Sequence, residues 1–166
     1  MFFYLSYPNY EVEVSLSSRI ASLLARSVSV AQKLTLQLID IFDNNQIELL
    51  PSFLDNLFAQ VPFQWYTHTS GYEAFYCTIF YIFLTSTGFN VFAEDTSSRG
   101  NIDLTVLYHD TAYIFEFKVN RGKPIEQIFA KQYYKKYLHM SNIIAIGIVV
   151  DSSSESVKQF EIQRIR

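Results

Sequence analysis

The segment that most constrains the fold of this chain is residues 143–150, an unbroken run of apolar side chains with a single glycine. A run of this composition, rich in isoleucine and valine, is typical of a strand that is buried on both faces. Such a strand needs other elements packed above and below it, so the run predicts a layered α/β protein. It is too short to cross a membrane.

The other patterns supply the remaining layers. Strands are predicted over residues 89–94, 102–108 and 112–119, with a tight turn joining the last two into a β-meander. A helix is predicted over residues 71–87, capped by Ser70 and closed by Gly88, and another from Pro124 to about residue 139. Residues 157–165 predict an edge strand. The order α-β-β-β-α-β indicates a mixed sheet with helices packed on it.

The first part of the chain predicts a separate helical region. Residues 1–14 end in the alternating Glu11-Val12-Glu13-Val14, which predicts a small β-element. Apolar residues at helical spacing predict one long helix or two short helices over residues 18–42. A further amphipathic helix is predicted from Pro51 to the break at Pro62.

Composition sets wider bounds. The chain has 166 residues and a formal net charge of −3, which suits one compact domain with a helical extension. A nucleic-acid partner would therefore have to meet a local basic patch or a bound cation, because no global basic field exists. Cys77 is the only cysteine and lies in an apolar helical pattern, so we expect a reducing, cytoplasmic setting and an inert thiol. The first residues have no signal-peptide pattern.

Three ionisable residues on neighbouring strands carry the chemical hypothesis. Asp103 lies near the start of the second strand, whereas Glu116 and Lys118 are two residues apart on the third and so point to one face. This set suits phosphodiester hydrolysis, in which carboxylates hold Mg²⁺ against a phosphate while lysine orients or deprotonates water and steadies charge. The alternative is that Glu116 and Lys118 only decorate the solvent face of an amphipathic strand.

From about residue 46 to residue 166 the sequence resembles the PD-(D/E)xK superfamily, in particular the nuclease-like C-terminal domain that follows an AAA-type ATPase module in many prokaryotic proteins. The resemblance is carried by Gln60-Val61-Pro62-Phe63, Tyr72-Glu73-Ala74-Phe75-Tyr76, Arg99-Gly100-Asn101-Ile102-Asp103-Leu104, Tyr113-Ile114-Phe115-Glu116-Phe117-Lys118, Glu126-Gln127-Ile128, Tyr133 and Ile146-Gly147-Ile148. It implies a restriction-endonuclease-like αβββαβ sandwich over residues 46–166. Residues 1–45 would be a remnant or linker of the ATPase module, so the chain is either a fragment of a longer protein or a free-standing nuclease-like protein.

The resemblance also implies roles for individual residues. Asp103 and Glu116 would bind Mg²⁺ or Mn²⁺, Lys118 would be the catalytic lysine, and Glu73 would be an auxiliary acid and metal ligand. Gln127 and Tyr133 would contact these residues and hold them in position, or would contact nucleic acid. No phosphate-binding Gly-x-x-x-x-Gly-Lys loop is present, so ATP hydrolysis by that route is excluded.

Several alternatives stay open at the level of sequence. Glu73 stands three residues after Ser70 and could belong to a capping box instead of a catalytic site. Arg121, Lys123 and Lys131 form part of a local basic excess that suits a DNA backbone, but such lysines also decorate solvated helix faces. The leading function is a metal-dependent nuclease acting on DNA. The rival is an inactive nuclease-like module for protein interaction, with a homodimer or a separate ATPase module as its partner.

Overall fold

The computed structural model describes residues 9–62 and 72–166, which form a five-stranded sheet covered by helices on both faces. The helices before the sheet are α1 (Tyr10–Leu24), α2 (Val28–Asp43), a 3-10 turn (Ile47–Leu49), α3 (Leu50–Phe58) and α4 (Glu73–Ser86). The strands are β1 (Asn90–Ser97), β2 (Gly100–Tyr108), β3 (Thr111–Val119), β4 (Asn142–Asp151) and β5 (Ser156–Arg164). Between β3 and β4 lie α5 (Pro124–Lys131) and a 3-10 helix (Tyr133–Tyr137).

The sheet has the strand order β1-β2-β3-β4-β5 and is mixed. Strands β1, β2 and β3 form an antiparallel meander, β4 runs parallel to β3, and β5 pairs antiparallel with β4 at the edge. The parallel step is possible because α5 and the 3-10 helix carry the chain back across one face. The predicted meander, the doubly buried strand, the edge strand and the αβββαβ sandwich are therefore confirmed.

The two faces of the sheet bury separate groups of apolar side chains. The larger cluster joins α1, α2, α3 and α4 to residues such as Phe115, Phe117 and Ile146 of the sheet. The smaller cluster packs α5 and the following 3-10 helix against residues such as Ile114 and Ala145. Helices α1 and α2 thus share one core with the sheet, with no break in packing at residue 45.

One local prediction was wrong. The alternating Glu11-Val12-Glu13-Val14 lies in the first turn of α1 and not in a β-element, while residues 1–8 fall outside the described part. The Asn9 side chain caps the helix by accepting a hydrogen bond from the Val12 amide at 2.9 Å. Two acidic residues in the first turn also favour the helix, because they face the positive end of its dipole.

The remaining helices form where they are predicted but differ in their bounds. The helix predicted from Pro124 to about residue 139 ends at Lys131, because Gln132 takes a left-handed conformation and residues 133–137 form a 3-10 helix. The region 18–42 lies in two helices, which is one of the two predicted alternatives, although the first helix begins earlier, at Tyr10, and α3 starts at Leu50.

Helix α4 ends at Ser86, and Gly88 adopts φ +84, the left-handed conformation expected of a C-terminal glycine cap. The helix begins at Glu73 with Tyr72 as its N-cap, two residues later than predicted, so Glu73 is not the third residue of a capping box that starts at Ser70; Ser70 itself lies outside the described residues. No described helix is both long enough and apolar enough to span a membrane.

Candidate active site

Asp103 lies on β2 just beyond the point where the regular pairing of β2 with β3 ends. Paired residues extend only as far as Leu104 and Phe115, and beyond that pair the Asp103 carboxylate accepts a hydrogen bond from the Phe117 amide at 2.7 Å. The side chain thus takes over a bond that a main-chain carbonyl normally makes. Ile102 and Leu104 belong to clusters on opposite faces of the sheet, so the alternation of β2 shifts at Asp103. This shift directs the carboxylate towards the end of β3.

Glu116 and Lys118 lie side by side on β3, as their spacing predicts. Lys118 Nζ is 3.0 Å from Glu116 Oε1, and it also donates to the Phe117 carbonyl at 2.7 Å. Glu116 is only 1% exposed, whereas the lysine side chain is 18% exposed. Gly122 permits this arrangement because a Cβ at that position would lie 2.7 Å from Lys118 Cγ. The lysine stem is therefore held between β3 and a close turn.

Glu73 reaches the same ammonium from the opposite side of the sheet. It is the first residue of α4, and its Oε2 lies 3.1 Å from Lys118 Nζ. The structure thus brings Glu73, Glu116 and Lys118 together, and Asp103 joins them through the main chain between the last two. The alternative of residues that only decorate a solvent face is wrong for Glu116, because that side chain is buried.

Glu116 is the electrostatic centre of the group. Its Oε1 accepts hydrogen bonds from Lys118 and from Gln127, but its Oε2 is buried without a hydrogen-bond partner among the described residues. Burial, followed by the nearby charge of Asp103, raises the pKa of Glu116 to about 7. Burial likewise raises the pKa of Asp103, against the hydrogen bond from Phe117.

The pKa of Lys118 is raised although burial alone would lower it, because the carboxylates of Glu116 and Glu73 stabilise its charge. The ammonium form therefore persists at neutral pH. An ammonium group donates hydrogen bonds and balances negative charge. A charged lysine at this position suits charge stabilisation, and the choice between this role and activation of water stays a prediction.

Gln127 and Tyr133 form a second layer behind Glu116. Gln127 projects from α5 and donates to Glu116 Oε1. Tyr133 is only 2% exposed and interacts with Gln127, whose hydrogen bond partly offsets the burial that raises the tyrosine pKa. Gln127 can therefore orient Glu116 and Tyr133 can orient Gln127. Tyr133 offers little surface to nucleic acid, and its contact with DNA stays a prediction.

The basic residues proposed for DNA lie at the surface near this layer. Arg121 and Lys131 are exposed, and Lys123 is exposed but forms an ion pair with Glu126 at 2.6 Å. This pair is of the i, i+3 type on a helix start, where such contacts contribute only a few tenths of a kcal/mol. All three side chains are accessible to a ligand, and their role stays a prediction.

An open cavity of about 220 Å³ adjoins the site on the α4 side and brings Glu94, which the sequence did not mark as a site residue, close to Asp103. It is lined by Glu73, Ala74, Cys77, Thr78, Tyr81, Ala93, Glu94 and Asp103. Glu94 was predicted to end a strand, but β1 continues past it with φ +49 at this residue. Cys77 donates to the Asp103 carbonyl at 3.6 Å, and burial raises its thiol pKa, which agrees with an unreactive side chain.

The donor set suits a hard divalent cation held by two carboxylates. Asp103 and Glu116 provide oxygen ligands, and the unpartnered Glu116 Oε2 is a buried acceptor that a cation would satisfy. Within the described residues no three His, Cys, Asp or Glu side chains are arranged as a complete metal-binding group. Two carboxylates are sufficient for Mg²⁺, which keeps several waters and takes further oxygens from a phosphate.

Comparison with known proteins agrees with this geometry. Residues 71–160 match the family model of the PD-(D/E)XK nuclease superfamily, and the chain belongs to this superfamily. Its members are nucleases, usually dependent on divalent metal ions, and act on nucleic acid. The position after an ATPase module stays a prediction.

A protein of Azotobacter chroococcum mcd 1, described as "Uncharacterized protein in vnfD 5'region", is 32% identical to this chain over 168 aligned residues. The match covers 97% of this chain but 33% of the relative, so the chain spans about a third of that protein's length. No solved structure matches the chain.

Proposed function

We propose that the chain is a Mg²⁺- or Mn²⁺-dependent phosphodiesterase that cleaves DNA, with Asp103 and Glu116 as metal ligands and Lys118 as the catalytic cation. The observation that carries the proposal is the buried Glu116 Oε2, which has no hydrogen-bond partner among the described residues. A buried carboxylate oxygen without a partner is costly unless a ligand compensates it. The negative charge of Asp103, which is close enough to raise the pKa of Glu116, makes a cation the fitting ligand.

A divalent cation at these two carboxylates would polarise the phosphate and neutralise charge in the transition state. Lys118 is placed to donate to a phosphate oxygen or to the attacking water, because its ammonium is held at the site by two carboxylates. Glu73 keeps that ammonium charged and in place. Glu73 contacts Lys118 through Oε2, which positions the lysine, and its other carboxylate oxygen could serve as a third metal ligand, as the sequence resemblance implies.

The test is cleavage of plasmid and linear duplex DNA by the full chain, with Mg²⁺, with Mn²⁺ and with EDTA. Asp103→Ala and Lys118→Ala are each expected to lower the cleavage rate by about a hundredfold to a thousandfold or more, because each removes transition-state stabilisation. EDTA is expected to abolish cleavage.

Exposed residues of the same types serve as matched controls. Glu48→Ala and Lys33→Ala remove a carboxylate and an ammonium from the helices before the sheet and should leave the rate unchanged. Cleavage that survives both active-site changes would refute the site. A folded chain that cleaves no DNA under any metal condition would favour the interaction module.

A further inference from the structure

A second cavity, of about 360 Å³, lies on the other flank of the candidate active site. It is formed between the turn that joins β1 to β2 and the 3-10 helix after α5, and it is lined by Thr96, Ser97, Ser98, Gln132, Tyr133, Lys135 and Lys136. Its lining contains two ammonium groups, three hydroxyl side chains of serine and threonine, and no carboxylate. Such a surface favours an anion.

The two lysines of this cavity have different partners. Lys136 donates to the buried Asp95 carboxylate and, at 3.1 Å, to the Thr96 carbonyl. Its charge is therefore already balanced by an ion pair within the protein. Lys135 is exposed, and no ion pair to it occurs among the described residues. Lys135 is therefore the cation that this cavity has available for a ligand.

Gln132 adds an unsatisfied polar group to the same cavity. Its Oε1 is buried and has no hydrogen-bond partner among the described residues. The residue adopts φ +55 because it is the left-handed C-terminal cap of α5, which turns the chain into the following 3-10 helix and fixes the position of this side chain. A side-chain amide can present its oxygen or, after a half-turn, its NH₂ group, so it can meet either a hydroxyl or a phosphate.

This cavity is linked to the active site through one side chain. Tyr133 lines the cavity and interacts with Gln127, which in turn contacts Glu116. The cavity on the opposite flank is lined by the carboxylates of Glu73, Glu94 and Asp103 and by no basic side chain. The site thus lies between a flank of carboxylates, where a phosphate would bind through the cation, and a basic flank, which attracts phosphate directly.

We propose that the cavity lined by Lys135, Gln132 and Ser98 binds the sugar-phosphate backbone of DNA next to the bond that is cleaved. Lys135 neutralises a phosphate, and Ser98 and the Gln132 amide donate to its oxygens. The inference rests on the proposed nuclease function and adds the direction in which the substrate lies.

The test measures binding of a fluorescently labelled DNA duplex to the full chain carrying Asp103→Ala, which separates binding from cleavage. Fluorescence anisotropy at several KCl concentrations gives the Kd and its salt dependence. Adding Lys135→Ala should weaken binding about fivefold and lower the slope of log K against log salt by about 1, as expected for one lost phosphate contact. Adding Gln132→Asn should weaken binding without loss of thermal stability, because asparagine tolerates positive φ but is shorter.

Lys33→Ala in the same background is the matched control, since this exposed lysine lies on α2, which packs on the opposite face of the sheet. It should change neither the Kd nor the salt slope. If Lys135→Ala behaves like Lys33→Ala while the parent binds DNA, the backbone site is refuted and the nuclease proposal stands. If the parent binds no DNA and the unaltered chain cleaves none, both proposals fail.

Discussion

Asp95 on β1 and Glu116 on β3 are two buried carboxylates of the same sheet, and their hydrogen bonds differ. Asp95 accepts from Thr105 at 3.0 Å and from Tyr137 and Lys136, so both of its oxygens have partners. Glu116 accepts from Lys118 and Gln127 through one oxygen, while the other has no partner in the described part of the chain. A buried carboxylate whose two oxygens both accept hydrogen bonds stabilises the fold. A buried carboxylate with one unpartnered oxygen is instead typical of a site that binds a ligand.

We expect the largest change in stability from substitution of Asp95, the carboxylate whose two oxygens both have partners. Asp95→Ala removes the carboxylate that the buried Thr105 and Tyr137 hydroxyls and the Lys136 ammonium share, so it should lower the free energy of unfolding by about 3 kcal/mol. Thermal denaturation followed by circular dichroism should show a Tm lower by about 10 °C. DNA cleavage measured well below that Tm should change less than twofold.

Glu48→Ala, at an exposed carboxylate, is the control and should shift the Tm by less than about 1 °C. Loss of cleavage in folded Asp95→Ala would contradict the contrast, because it would mean that this cluster also serves the chemistry.

At Glu116 we expect a substitution to raise the free energy of unfolding, the opposite of the effect at Asp95. Its pKa in the folded chain is raised from 4.5 to about 7, so the folded chain binds this proton more tightly than the unfolded chain does. The stability that the bound proton contributes is fully present below about pH 4.5 and is lost as the pH rises through 7. Glu116→Gln never ionises, so without divalent cations it should be more stable than the parent by about 2 kcal/mol at pH 8 and equal to it near pH 4.5.

Urea unfolding of both proteins with EDTA at these two pH values measures the difference. The stabilised variant should have lost DNA cleavage, since it lacks the negative charge that holds the cation. A Glu116→Gln protein that is less stable than the parent at pH 8 would show that the unpartnered oxygen carries no such cost.

The sequence predicted the sheet well because period-two and continuous apolar patterns depend on burial alone. It also predicted that Asp103, Glu116 and Lys118 come together, since a meander places neighbouring strand ends side by side. The Asp95 cluster was missed because its members lie up to 42 residues apart and the predicted strand ended at residue 94. The contact between Glu73 and Lys118 joins elements 45 residues apart, and no local pattern encodes it.

The same limit explains the error at the N-terminus. Four alternating residues fit a strand as well as a helix turn, and the distinction depends on long-range contacts of α1. Tyr10, for example, donates to the Gly88 carbonyl at 2.6 Å, which ties α1 to the end of α4. Short patterns are therefore decided by packing partners that lie far away in the sequence.

The smallest effect tests the layer that orients Glu116. Gln127→Ala removes the donor to Glu116 Oε1 but keeps Lys118, so it should weaken divalent-cation binding about tenfold, or about 1.4 kcal/mol, by analogy with other residues that orient metal ligands. Isothermal titration calorimetry with Mn²⁺ measures this affinity directly. Glu126→Ala is the matched control, because it lies one residue earlier on α5 and pairs only with the exposed Lys123 in the described structure. Equal affinities in the two variants would mean that Gln127 merely fills space beside Glu116, whereas a selective loss at Gln127 would extend the functional carboxylate site into α5.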